Sequence, residues 1–198
     1  MNYLAHLLLA EHSDEGLLGA LLGDFVAGSA FEAWPAIVRR EILIHRRIDG
    51  FTDRHPQVLA LKATFPEGQR RYAGILIDVY FDHLLARDWP RHADPPLHDF
   101  SQRAYRVLAE AAAELPPRLA AIAPLMASGD WLGSYRHRDT VDRAVTRIAR
   151  RLSRGGEGLV ACLPTLRQHE AEAEAGFEAF FPEVRAFVEE TRAALLSN

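Results

Sequence analysis

The sequence predicts an all-α fold, a single-domain helical bundle spanning residues 1–198. Apolar residues recur at helical spacing along most of the chain, and strand-like alternation is nearly absent. Pro and Gly pairs at Pro95-Pro96, Pro116-Pro117 and Gly155-Gly156, with Pro182, divide the pattern into segments of helix length. A hydrophobic fraction of 48% is ample for one core.

In order, residues 2–10 read as a short apolar helix. Ser13, followed by Asp14 and Glu15, is a good start for the next, because a side-chain oxygen and first-turn acids complement free amides and the helix dipole. That helix continues through Leu21 and Phe25, with Gly28 as its expected end. Pro35 opens a third helix through Ile48, and Pro56 starts a brief fourth. A long helix is expected over about 70–89, stopped by Pro90, and further ones over about 97–114, 118–127, 138–153, 159–175 and 177–196.

Composition narrows the function classes. A net charge of -4 argues against a general nucleic-acid binder. No apolar run approaches the roughly 20 residues of a membrane span, and the start lacks the positive region of a signal peptide, so a cytoplasmic location away from membranes is expected. Cys162, the sole cysteine, excludes an internal disulfide and a multi-cysteine zinc site; its apolar neighbours read as core.

The chemistry lies where charge interrupts apolar sequence. Asp24 follows Leu21-Leu22-Gly23, His6 lies between Ala5 and Leu7, and two clusters, His45-Arg46-Arg47-Ile48-Asp49 and Asp78-Val79-Tyr80-Phe81-Asp82-His83, fall in helices. Ionisable groups are costly to bury unless they are paired or bind a cation. Asp78 and Asp82 share a helix face at i, i+4, as do His45, Asp49 and Asp53. Carboxylates with imidazoles suit Mn, Fe, Zn or Mg. The bland alternatives are solvated faces, ion pairs to Arg46, Arg47 and Arg54, and a hydrogen-bonded core role for His6. His12, His55, His92, His98, His137 and His169 read as surface residues. Arg39-Arg40, Arg46-Arg47, Arg54 and Arg70-Arg71 could meet a phosphate or an acidic partner.

Four blocks carry a resemblance: Asn2-Tyr3-Leu4-Ala5-His6-Leu7-Leu8-Leu9-Ala10, the stretch from Gly19 to Gly28, His45-Arg46-Arg47-Ile48-Asp49, and the stretch from Asp78 to Trp89. In order and spacing the chain resembles the acyl carrier protein phosphodiesterases over its first 90 residues. The resemblance implies a fold distantly related to the HD-domain phosphohydrolases and a divalent metal, Mn²⁺ first, with Fe²⁺, Co²⁺ or Mg²⁺ as alternatives. It also implies hydrolysis of holo-acyl carrier protein to apo-protein and 4′-phosphopantetheine. The Asp82-His83 pair departs from the HD superfamily's His-Asp order.

On that chemistry His6, Asp24, Asp78, Asp82 and His83 are expected in or around the metal's ligand sphere. His45 is a further ligand or a proton carrier, Arg46 stabilises charge on phosphate, and Asp49 orients His45 or Arg46. Carrier proteins present an acidic helix, so Arg39, Arg40 and Arg47 are expected to help recognise it. Two rival readings stand beside this one: a nucleotide phosphohydrolase with Tyr72, Tyr80 or Trp89 holding the base, and a non-enzymatic helical module with structural ion pairs. The sequence does not fix an oligomeric state.

Overall fold

Ser13 does at the start of its helix what its residue type dictates: its hydroxyl accepts the Gly16 amide at 3.0 Å. In the computed structural model, which describes residues 1–197, similar local signals set most boundaries. The helices are α1 (Tyr3–Leu9), α2 (Asp14–Leu22), α3 (Ala36–Arg54), α4 (Pro56–Ala63), α5 (Glu67–Arg87) and α6 (Leu97–Glu110). They continue as α7 (Pro117–Ser128), α8 (Trp131–Ser134), α9 (Asp139–Ala149), α10 (Gly156–Val160), α11 (Leu163–Gln168) and α12 (Glu170–Leu196). Single 3₁₀ turns lie at Ala30–Ala33 and Trp89–Arg91. No strand occurs among the described residues, and no helix there is long and apolar enough to cross a membrane.

The core gathers around α5, whose Leu76, Ile77, Tyr80, Phe81 and Leu85 are buried against apolar residues of the other helices. α1 packs on α2 and α5, α2 lies along α3, and α12 runs beside α3, α4 and α5. The α2–α3 approach requires Gly19: a Cβ there would lie 2.6 Å from the Val38 carbonyl oxygen. Cys162 is buried, as its neighbours imply.

Some boundaries differ from the sequence reading. α2 ends at Leu22, before Gly28, and releases Asp24 into the connection to α3. The break expected near 176 falls at His169 instead, and α12 runs unbroken through Pro182. Phe177, Phe180, Phe181, Val184 and Val188 bury one continuous stripe across that proline, so tertiary packing outweighs the lost backbone hydrogen bond. His55 is buried, not superficial. It caps α4 by accepting the Gln57 amide and lies 3.2 Å from Glu183.

One buried ionic network fixes the end of α12. Glu41 is sealed from solvent, and Arg192 reaches it at 3.3 Å while also donating to the Leu9 carbonyl at 2.7 Å. Arg40 joins this network through Glu41 and Glu11.

Candidate metal centre

Three side chains from the middle of α1 and the second half of α3 meet. His6 of α1, with His45 and Asp49 of α3, places ligand-type atoms all within 4.8 Å of one another. The His6 and His45 rings stack, with centroids 3.6 Å apart and planes at 13°. Asp49 spans them, one oxygen 3.0 Å from His6 Nε2 and the other 3.3 Å from His45 Nε2. Asp24 adds an oxygen 3.4 Å from the same His45 nitrogen.

The tautomer of His45 follows from its partner. Its Nδ1 donates to the Ala20 carbonyl at 2.7 Å, so a neutral ring turns the Nε2 lone pair towards two carboxylates. That arrangement is repulsive unless a proton or a cation stands between them. Nε2 is buried and aligned for a hydrogen bond with neither carboxylate, and His6 Nδ1 is a second buried nitrogen without one. Burial opposes charge on His45, but the two carboxylates of Asp24 and Asp49 at 3.4 and 3.3 Å outweigh it and push the group up to about 9. His6, buried and facing His45, is held down to about 4. Burial raises Asp49 less than His45 and His6 lower it, and it lies well below the usual carboxylate range. The local demand is for positive charge. Two imidazoles and a carboxylate with buried unused nitrogens fit a divalent cation of the Mn, Fe or Zn type.

A cleft of about 270 Å³ opens beside this cluster, lined by Met1, Asn2, Asp24, Asp49, Thr52, Asp53, Ile75, Asp78, Val79 and Ile148. Asp78 lies here, 3.0 Å from the Met1 amino group, which is also 3.6 Å from Asp49. Burial dominates at Asp78 and raises it despite that ammonium. The side chain of Asp24 is 48% exposed and that of Asp49 42%, so both carboxylates beside His45 are open to the cleft.

Asp82 and His83 do not reach the cluster. Both oxygens of Asp82 are taken by α1, accepting the Leu4 amide at 2.7 Å and the Ala5 amide at 3.1 Å. A helix start leaves such amides unpaired, and here the α1 cap residue Asn2 sends its side chain to the Tyr135 hydroxyl instead. Burial pushes Asp82 up to about 7, against the pull of the two amides. His83 donates Nδ1 to the Tyr135 carbonyl at 2.7 Å. The pair ties α5 to α1 and to the segment after α8.

The arginines are similarly placed by their partners. Arg46 donates to the Val26 and Gly28 carbonyls at 2.6 and 3.1 Å and lies over Phe31, clamping the connection that carries Asp24. Arg40 is engaged with Glu11 and Glu41. Arg39 lines a separate groove with Phe31, Glu32 and Leu196, and Arg47 is exposed on α3. Sequence reasoning missed Gly23 and Ile148. A Cβ on Gly23 would fall 2.2 Å from His45 Cγ, a demand that the Gly-Asp step could have signalled. Ile148 arrives from α9 with no local mark of its role.

A family model described as acyl carrier protein phosphodiesterase matches residues 1–184. The chain belongs to that family. Among curated acyl carrier protein phosphodiesterases, it is 37% identical to one from Enterobacter sp. (strain 638) over 183 residues, covering 92% of this chain and 94% of the relative. One from Klebsiella pneumoniae subsp. pneumoniae is 35% identical over 190 residues, with 96% and 98% covered, and one from Salmonella agona is 36% identical over 187 residues, with 94% and 96% covered. No solved structure matches the chain. The likeness to the acyl carrier protein phosphodiesterases therefore extends well past the four N-terminal blocks, through α9 and into α12.

Proposed function

We propose that this chain hydrolyses the phosphodiester joining 4′-phosphopantetheine to a serine of holo-acyl carrier protein, in the cytoplasm, with a divalent cation, Mn²⁺ first, held by His6, His45 and Asp49. The observation that carries the reading is the His45 Nε2 atom, buried, unaligned with either neighbour and facing two carboxylates. The family assignment supplies the substrate class.

A cation bound there supplies Lewis acidity to the phosphoryl group and to an attacking water. The residues supply the rest. Ala20 fixes the His45 ring through Nδ1, and Asp49 holds His6 and His45 in register. Water bonds to phosphorus as the phosphorus–serine oxygen bond breaks; Asp24, half exposed beside His45, accepts the proton of the water, and the departing serine oxygen takes one from solvent. Asp78 and the Met1 ammonium pair across the cleft and set its local charge. Asp82 acts at a distance, holding the start of α1 so that His6 faces His45. The nucleotide reading loses its base platform: Tyr80 and Trp89 are buried in the core, and Gly155 and Gly158 press on Tyr72.

Purified protein incubated with holo-carrier protein and Mn²⁺, with the products weighed, tests the proposal. The carrier protein is expected to lose one phosphopantetheinyl group, to stop losing it when the metal is chelated, and to keep it in the presence of His45→Ala. Turnover unaffected by thorough chelation would remove the cation from the reading. An unaltered carrier protein would remove the substrate.

A further inference from the structure

The cleft wall carries four carboxylates, Asp24, Asp49, Asp53 and Asp78, a repulsive approach for an anionic substrate unless positive charge stands beside it. Such charge lies at one edge. α9 contributes Ile148 to the cleft itself, and its neighbour Arg147 lies 3.8 Å over the Trp131 ring. Arg151, just past the end of α9, approaches the same ring at 5.8 Å. From α7, Arg118 lies 5.8 Å over Phe25, which stacks on Tyr3. Phe25 adjoins Asp24 in the chain, so this patch is continuous with the mouth of the cleft.

None of the three guanidinium groups forms an ion pair among the described residues. Arg147 is partly buried and held below its usual range, by burial first and then by Arg151 and Arg143. Tyr3 is raised to about 12, mainly by burial and further by Asp24, against the opposing pull of Arg151, Arg118 and Arg147. Tyr3 stacks on Phe25, and their chain neighbours Asn2 and Asp24 both line the cleft, so the patch and the acidic cleft adjoin here.

We propose that Arg118, Arg147 and Arg151, spread over Trp131 and Phe25 beside Tyr3, dock the acidic face of the carrier-protein substrate against the cleft mouth. The proposal rests on the substrate reading above. Guanidinium groups laid on aromatic faces keep their N–H edges free for carboxylates while little side-chain freedom remains to be lost. Arg118 and Arg151 are exposed and come from separate segments, which forms a broad platform and not a converging phosphate pocket. The partner that fits is a protein with clustered Asp and Glu next to its modified serine. Arg40, by contrast, is already neutralised by Glu11 and Glu41.

The test is the double variant Arg118→Glu/Arg151→Glu, both exposed positions, compared with a charge-matched control, Arg106→Glu/Arg185→Glu. At low ionic strength the first is expected to raise KM for holo-carrier protein by about tenfold or more, with kcat within about twofold, and the gap to narrow as salt is added. Its affinity for apo-carrier protein, which has no diester, is expected to fall by a similar factor. Unchanged KM overturns the proposal, as does an equal rise in the control, which would mark a global charge effect. A raised KM with unchanged apo-protein affinity also overturns it, since the arginines would then touch the phosphopantetheine arm. Absence of turnover by the unmodified enzyme is a different failure, that of the substrate reading.

Discussion

With Nδ1 of His45 donating to Ala20, the ring has only Nε2 to offer to Asp24 and Asp49, and Gly23 is what lets it pack so closely against the end of α2. Gly23→Ala sets a methyl group 2.2 Å from the His45 Cγ position, so the ring must move. A displacement near 1 Å at such a site costs about 100-fold in rate. Turnover of holo-carrier protein by Gly23→Ala is therefore expected to fall by about that factor with far-UV circular dichroism unchanged; a near-normal rate would show that His45 does not need this seat. At this scale the sequence was partly legible. His6, Asp24, Asp49 and Asp78 stand out because each interrupts apolar sequence, and the structure gathers them around one cleft or beside it. Asp82 and His83 stand out equally and are used elsewhere. A charged group in an apolar helix shows that something compensates it. It does not show whether the partner is an ion or a neighbouring helix's amides.

α1 is seven residues long, too short to hold together without tertiary support. Its start is fixed by Asp82 from α5, a contact across 78 positions of sequence that no local pattern announces. Asp82→Ala strands two buried amides, at a cost on the order of 3 kcal/mol. In a domain of this size that lowers Tm by roughly 6–12 °C. Thermal denaturation checks it, and a Tm within a degree or two of the parent would contradict the capping role. Helix existence was readable from periodicity where one face is apolar and the other polar, as in α3, α6 and α9, whose apolar faces are the buried ones. Helix ends were less so. α12 crosses Pro182 because its phenylalanine stripe is buried on both sides, and α2 stops early where Gly23 must admit His45. Both outcomes depend on neighbours distant in sequence.

Over the whole molecule, the first half of the chain supplies the chemistry and the second half encloses it. α1, the connection after α2, and α3 and α5 bring the imidazoles and carboxylates; α9 closes the cleft with Ile148 and places Arg147 at its edge. The four N-terminal blocks were enough to place the chain in its family, but the enclosing half has no motif, because walls and charged rims tolerate many residue types. The central claim is that His6 and His45 hold a divalent cation. Pulsed electron paramagnetic resonance of the Mn²⁺-loaded protein reads it directly through the coupling of ligand nitrogen to manganese. Nitrogen modulation is expected in the parent and in His83→Ala, and is expected to vanish in His6→Ala/His45→Ala. No nitrogen coupling in the parent, or its loss only in His83→Ala, would contradict the claim.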